Sequence, residues 1–192
     1  MDNTCKVSTY EMGAVIRGGA VSEETMTVQG SYTMTCVGPD GQVKWSEEFD
    51  NLVTTEGKNH LLDWGLAGTA SAIAIRMSLI TSGTPVAGDT YASHGGFTEL
   101  SSGVVAARGT PSLGSAASGT KSTSSAVAFS IIGTGTITGA ALNLVAGTVG
   151  NLGVVGDTAT SNAKLYSAGL FSVSKSVSNG DTLNVTYSST LT

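Results

Sequence analysis

The chain has 192 residues, a formal net charge of −5, 26 glycines and 12% charged residues. So few charges argue against a helical enzyme, whose surface helices would carry many Lys, Glu and Arg side chains. The few basic residues leave no electrostatic footprint for nucleic acid, so we expect no such partner. Because 40% of the residues are hydrophobic and periodically placed, short strands joined by glycine turns fit better than disorder. Cys5 and Cys36 are interpreted as free thiols.

The first 25 residues are mixed and polar, and the simplest interpretation is a frayed terminus. The alternative that we adopt is an extended arm over 1–25 that becomes ordered on a neighbouring subunit. It would be anchored by four apolar residues: Tyr10, Met12, Val15 and Ile16. One β domain over 26–192 follows. The start lacks the basic and apolar regions of a signal peptide, and no apolar run approaches the roughly 18 residues of a membrane helix. We therefore expect synthesis in the cytoplasm and no membrane partner.

The stretch from Tyr32 to Leu66 organises the chain, because it joins a hairpin to the one convincing helix. Apolar and polar residues alternate over Tyr32–Cys36 and again over Val43–Phe49, as they do in half-buried strands. Between them, Gly38-Pro-Asp-Gly41 has the composition of a tight turn. The alternation therefore predicts an antiparallel hairpin in this stretch.

A helix is predicted at about 55–66, where the apolar period changes. Thr54 or Thr55 would cap its first turn, and Gly65 or Gly68 would end it. The apolar residues of the helix fall roughly on one side. We expect the structural core to include five residues of the hairpin and helix: Trp45, Phe49, Leu61, Leu62 and Trp64. The two tryptophans are interpreted as core residues rather than as a platform for a sugar.

Short strands continue through the rest of the chain. Alternation predicts them at Ile73–Leu79, Val104–Arg108, Val127–Ile131, from Ile137 onward, Leu170–Val177 and Leu183–Tyr187. Long loops are predicted at 81–103 and 112–125. Turns at Gly133–Gly135 and at Asn179-Gly180 are predicted to close hairpins, since Asn-Gly is a strong hairpin signal. The eight or nine resulting strands predict a mainly β fold of the β-sandwich or jelly-roll type.

The loop residues Asp89, Ser93 and His94 gather an acid, a hydroxyl and an imidazole. Adjacent Ser and His side chains rarely converge as a hydrolase requires, and the chain has no Gly-x-Ser-x-Gly elbow. Hydrogen bonding within the loop, with Asp89 in an Asx-type turn, is the preferred interpretation. His60 and His94 have no acid or cysteine cluster at zinc-ligand spacing. We expect no catalysis, no metal and no cofactor.

Two segments resemble the structural proteins of small tailed-bacteriophage virions. Phe49–Asp63 contains the run Asn-Leu-Val-Thr-Thr-Glu-Gly-Lys-Asn-His-Leu-Leu-Asp, and Pro85–Glu99 contains Asp-Thr-Tyr-Ala-Ser-His. The ending Val177–Tyr187 is similar to the final hairpin of many phage virion proteins. Together the three segments cover about 45–190. The resemblance implies a non-catalytic virion component present in many copies.

The resemblance does not settle which part of the particle the protein belongs to. We favour a capsid decoration, or cement, protein, mainly because the chain is short and lacks the repeat of a trimeric fibre. Such a protein would be a homo-oligomer, a trimer or a dimer, that binds the major capsid protein on the outer surface of the head and stabilises it. The four arm residues would then form a capsid or subunit interface. The alternative is a tail or tail-fibre component that recognises a host surface, for example a glycan. Such a protein would show exposed aromatic residues over an acidic groove, and this chain has few aromatic residues.

Overall fold

A computed structural model of the protein describes residues 26–67, 73–146 and 163–192. The elements are β1 (Val28–Val37), β2 (Val43–Val53), α1 (Thr55–Ala67), β3 (Ile73–Gly83), β4 (Phe97–Glu99), β5 (Thr120–Ser122), β6 (Val127–Ser130), β7 (Gly135–Ala146), β8 (Lys164–Val177) and β9 (Thr182–Leu191). The predicted mainly β fold with one short helix is confirmed. Within these ranges no helix has the length and apolar character needed to cross a membrane. The predicted arm over 1–25 lies outside the described residues.

The strands form one antiparallel sheet in the order β4-β3-β7-β8-β2-β1-β9-β5, and β6 also pairs with β9. The strand β2 joins the two parts of this sheet. Most of β2 pairs with β1, whereas its last residues, Asn51–Val53, pair with β8. We call β1, β2, β5, β6 and β9 the first half of the sheet, and β3, β4, β7 and β8 the second half. The two halves share one hydrophobic core, which gives a β-sandwich-like fold.

Aromatic side chains connect the two halves in the core. The fully buried Tyr32 of β1 stacks on Phe49 at 5.2 Å between ring centroids and lies 4.7 Å from Tyr187. Its hydroxyl lies 3.2 Å from the Ser167 hydroxyl on β8, across the sandwich. Phe171, also on β8, meets Phe49 edge-on at 4.7 Å. Burial raises the pKa of the Tyr32 hydroxyl well above its ordinary value, so this hydroxyl stays neutral.

The predicted hairpin and the predicted start of the helix are both present. In the hairpin turn, Gly41 has a φ of +78°, which glycine adopts without strain. Thr54 caps α1 because its hydroxyl accepts the Gly57 N–H at 3.0 Å and donates to the Leu165 carbonyl of β8 at 2.5 Å. Gly57 lies so close to the Tyr166 carbonyl that a Cβ atom would not fit there. The cap therefore both starts α1 and attaches its first turn to the second half of the sheet.

Two of the five predicted core residues are exposed instead. Leu62 is 48% exposed and Trp64 is 46% exposed, because the part of α1 beyond its first turn faces an open groove rather than the core. Leu61 is partly buried against the core, and so is Trp45, which meets Phe171 edge-on at 5.8 Å. Phe49 is buried. The helix also continues through Gly65 to Ala67, so Gly65 does not end it, and Gly68 lies outside the described residues.

The other two predicted hairpins are not formed. The strand β6 pairs with β9 rather than with β7, and β9 pairs with β1 rather than with β8. The segment at Gly133–Gly135 and the turn at Asn179-Gly180 therefore carry the chain from one half of the sheet to the other. Gly180 does have the positive φ, +90°, that the Asn-Gly signal predicts. The Asn-Gly residues determine the backbone conformation of the turn, whereas the strand with which β9 pairs is determined by its ten-residue pairing with β1.

Three shorter stretches also differ from the prediction. Val104–Arg108 is not a strand, and in it Val105 makes an isolated bridge to Ile131. The predicted loops at 81–103 and 112–125 contain the strands β4 and β5. Each of these strands has three residues, which is too short to produce a recognisable alternation.

Candidate functional site

The loop between β3 and β4 is held together by its own polar groups. The Asp89 carboxylate accepts two backbone N–H groups of the loop, at 2.9 and 3.3 Å. The His94 ring stacks on Phe97 at 4.8 Å, and its Nδ1 lies 3.1 Å from the Tyr91 carbonyl oxygen. Asp89 therefore makes loop-internal hydrogen bonds, as the sequence predicts, but they reach Val86 and Gly96 rather than closing an Asx-type turn, since the Tyr91 N–H donates to Glu56. The acid and the imidazole are engaged with different partners.

A buried ion pair lies beneath this loop. Arg108 donates to one Glu99 oxygen through Nη2 at 2.6 Å and Nε at 3.1 Å, and the two side chains are 3% and 2% exposed. Its Nη1 donates to the Tyr91 hydroxyl at 2.7 Å, and the guanidinium lies 5.3 Å from the centre of that ring. Burial works against the charge of Arg108, but Glu99 and Tyr91 favour it and raise its pKa overall. These groups hold β4 and the loop on the second half of the sheet.

Glu56, in the first turn of α1, connects three elements. Its Oε2 accepts the backbone N–H of Tyr91 at 2.8 Å and that of Leu165 at 2.8 Å, and its Oε1 lies 3.3 Å from Lys164 Nζ. The helix, the loop and the start of β8 are thus joined by one carboxylate. The segments Phe49–Asp63 and Pro85–Glu99 therefore contact each other through Glu56.

A third polar cluster anchors the turn between β8 and β9 to the first hairpin. Lys44 Nζ lies 2.8 and 3.1 Å from the Asp181 oxygens, and the Ser178 N–H donates to the same carboxylate at 2.9 Å. Burial opposes ionisation of Asp181, but the hydrogen bonds from Lys44 and Ser178 hold its pKa below the ordinary value. Burial and the neighbouring Asp181 raise the pKa of the Cys36 thiol to about 11. Cys36 is therefore an unreactive, protonated thiol at neutral pH.

The candidate functional site is a groove of about 950 Å³ at one end of the sandwich, between the two halves and beside α1. We call it the open end. It lies beside the first residues of β1, β3 and β8 and the last residues of β7 and β9. Leu142, Tyr166 and Tyr187 belong to the buried core and also line the open end. Side chains that are themselves buried therefore form the floor of the groove.

Large apolar side chains surround the open end. Those most exposed are Met26 (63%), Leu62 (48%), Trp64 (46%), Leu66 (85%) and Leu191 (45%). A contiguous apolar surface of this kind marks an interaction site far more often than a scattered exposed leucine does. The open end is therefore the surface of the described chain best suited to binding another group.

The two charged residues that line the open end are both basic. Lys58 and Lys121 lie there, and no acidic residue is among the described residues that line it. The Nε2 atom of His60 is buried there without a hydrogen-bond partner among the described residues. The open end is therefore apolar with a cationic margin, a combination that suits an apolar group carrying negative charge.

Little of this site is visible in the sequence. The predicted interface residues Tyr10, Met12, Val15 and Ile16 lie outside the described residues. Leu66 and Leu191 have no sequence feature that separates them from core leucines. Among the residues that the structure describes, no group of three or more His, Cys, Asp or Glu could hold a metal ion. No protein-family model, curated protein or solved structure matches the chain.

Proposed function

We propose that the protein is a non-enzymatic structural component of a phage virion, and specifically a capsid decoration protein of the outer head surface. The observation that carries the proposal is the use of three of the five carboxylates in the segments Phe49–Asp63 and Pro85–Glu99. Glu56, Asp89 and Glu99 all face partners within the protein, where they join α1, the loop after β3 and β8. Polar groups used in this way build a rigid framework, whereas an active site would present them to a substrate.

The surface properties support docking as the mode of action. The open end offers apolar contact area with a cationic margin. A decoration protein acts through surface complementarity, and its benefit comes from many copies that each bridge several subunits. We propose the major capsid protein as its partner and two or three copies of the chain as its own assembly. The residues Tyr10, Met12, Val15 and Ile16 of the arm would contact the capsid.

A tail or tail-fibre component that binds a host glycan is the second candidate. The observation in its favour is Trp64, whose ring is 46% exposed and lies 6.3 Å from the His60 ring. An exposed indole can stack on a sugar ring. A glycan site of the kind expected from the sequence would place aromatic residues over an acidic groove, whereas Lys58 and Lys121 line this one. The decoration role therefore fits the open end better.

The test is a mixing experiment with empty, expanded phage heads. Heads are incubated with increasing amounts of the purified protein and sedimented, and the bound copies are counted. We expect saturation at a fixed copy number per head. Failure to bind heads, with the protein recovered on tails instead, would replace the decoration role with the tail role.

The arm is tested in the same assay with a chain that lacks residues 1–25. We expect this chain to lose head binding while circular dichroism shows that the β domain remains folded. A matched control replaces four polar arm residues, Asn3, Ser8, Thr9 and Ser22, by Ala and should bind as the unmodified protein does. Undiminished binding by the truncated chain would contradict the role given to the arm.

A further inference from the structure

Two strands at one side of the sandwich have unpaired edges. Over Val43–Asp50, one edge of β2 pairs with β1, and no described residue pairs with the other edge, because the pairing with β8 covers only Asn51–Val53. Beyond Gly169, β8 in turn pairs with β7 alone among the described strands. An unpaired edge presents a row of backbone N–H and C=O groups with which a strand of another chain can pair, and proteins usually block such edges.

The edge of β8 is interrupted by a bulge. Leu170 pairs with Gly139 and Lys175 pairs with Ile137, so five residue steps along β8 correspond to two along β7. The additional residues protrude, and Val173 among them is 65% exposed. A bulge bends its strand and breaks the ladder of hydrogen bonds, so this edge is a poor template for a further strand.

The edge of β2 has no such irregularity. Its register with β1 continues without a shift over 45–50. The Thr54 N–H donates to a β8 carbonyl at 3.0 Å, and backbone groups of alternate residues in a strand point to the same side. The N–H and C=O groups of Asp50, Glu48 and Ser46 therefore point to the unpaired side, and β2 offers a regular edge to a pairing partner.

One charged residue of β2 points inward. Glu47 lies between Trp45 and Phe49 on the face of the strand that turns to the core, and its partner across the hairpin is the fully buried Met34. An apolar side chain would suit this position better. The Glu47 carboxylate instead lies 2.5 Å from Lys175 Nζ on β8, and the two side chains are 23% and 27% exposed. The pair closes the side of the sandwich between the two unpaired edges.

We propose that the Glu47–Lys175 pair prevents the edge of β2 from pairing with the same edge of a second copy of the chain. Inward-pointing charges on edge strands oppose pairing, because a docked strand would remove their remaining contact with water. Replacing a buried ion pair by apolar residues of similar volume is often neutral for stability or stabilising. The pair therefore contributes to the choice of partner rather than to the stability of the fold.

A second copy is the partner that suits the outward charges of this edge. Lys44 lies near the start of the edge and, although it binds Asp181, keeps 41% of its side chain exposed. Glu48 and Asp50 lie near the end of the edge, on the same face as Lys44. Antiparallel pairing about a two-fold axis would place Lys44 of each copy opposite an acidic residue of the other. The outward charges therefore favour this pairing, and the inward pair opposes it.

The double substitution Glu47→Val and Lys175→Val tests the inference. It removes one acid and one base, so the net charge of −5 is unchanged, and valine suits an inward strand position. Sedimentation velocity at several protein concentrations measures self-association, and urea denaturation of dilute protein measures stability. Relative to the unmodified protein, we expect an association constant at least about tenfold larger and a denaturation midpoint that is unchanged or higher.

Two further measurements locate the association on β2. Hydrogen exchange of the Ser46 and Glu48 backbone amides should become at least about tenfold slower in the associated double variant, because pairing would cover them. The control Glu48→Val places the same valine on the outward face of the same strand and leaves Glu47 in place. It should sediment as the unmodified protein does.

Each contrary result overturns the inference. Absence of increased association in the double variant would leave the pair with a purely structural role. Association without slower exchange at Ser46 and Glu48 would assign it to another surface, and equal association of Glu48→Val would assign it to added apolar area. The inference concerns the isolated chain and goes beyond the capsid role, which is decided separately by binding to heads. The two or three copies of the proposed assembly would contact one another through a surface other than this edge.

Discussion

Charged side chains are buried in one region of this molecule, and large apolar side chains are exposed in another. Under the loop after β3, Glu99 and Arg108 are nearly inaccessible to water and fully engaged with each other and with Tyr91. At the open end, Leu66 is 85% exposed and Trp64 is 46% exposed. In the first region every buried charge has a partner within the same chain. The second exposes large apolar side chains that no described residue covers, and this difference makes it the candidate binding surface.

The largest effect is expected where the buried charges meet. Glu99→Ala leaves the Arg108 guanidinium buried without its partner, and breaking a buried pair in this way costs about 3–5 kcal/mol of unfolding free energy. The exposed Glu48 on β2 provides the control, since Glu48→Ala should change stability by no more than about 0.5 kcal/mol. Urea denaturation of the two variants measures both values. Equal losses of unfolding free energy in the two variants would show that the buried pair stabilises the fold no more than an exposed glutamate does.

An intermediate effect with a defined pH dependence is expected at Asp181. Because its folded-state pKa is lowered, its ionisation stabilises the protein above the ordinary aspartate pKa of about 3.9, and this stabilisation is lost as the pH falls through the folded-state value. Asp181→Asn should therefore cost about 1–3 kcal/mol at pH 7, and its difference from the unmodified protein should narrow below about pH 4. Denaturation between pH 3 and 7 measures this, with Asp50→Asn as the exposed control. A difference that stays constant down to pH 3 would contradict the assignment.

The smallest effect is expected at the open end. Leu66→Ala should lower the unfolding free energy by less than about 1 kcal/mol, because the side chain is mostly exposed. The same substitution at the buried Leu142 should cost about 2–5 kcal/mol. Thermal unfolding of the two variants compares the same residue type in the two environments. Comparable losses would mean that Leu66 belongs to the folded core, and the open end would then no longer be a free surface.

The sequence predicted the parts of the fold that depend on local chemistry. The hairpin of β1 and β2, the cap at Thr54 and the helix itself follow from turn residues, capping residues and short-range periodicity. The Asn179-Gly180 turn shows the limit of such signals. The backbone conformation of this turn is determined by its own residues. The pairing of β9 with β1 rather than with β8 depends instead on residues some 150 positions away.

The candidate site was much less visible in the sequence. Periodicity correctly placed Leu62 and Trp64 on one helix together with Leu61, but it could not say whether their environment was core or open groove. The Glu99–Arg108 pair was also missed, since the two residues are nine positions apart with no motif between them. One signal was available, because they are the only charged residues between Asp89 and Lys121. Charged side chains are rarely buried unless they are paired, so two opposite charges in an otherwise uncharged region can indicate a buried ion pair.

The measurement that tests the account most directly is electron cryo-microscopy of expanded heads incubated with saturating protein. The decoration role predicts additional density on the outer surface of the shell at one class of symmetry-related position, with a β-sandwich-like body and contact to more than one capsid subunit. Heads indistinguishable from untreated ones would contradict it, and density on the tails of complete particles would establish the tail role in its place.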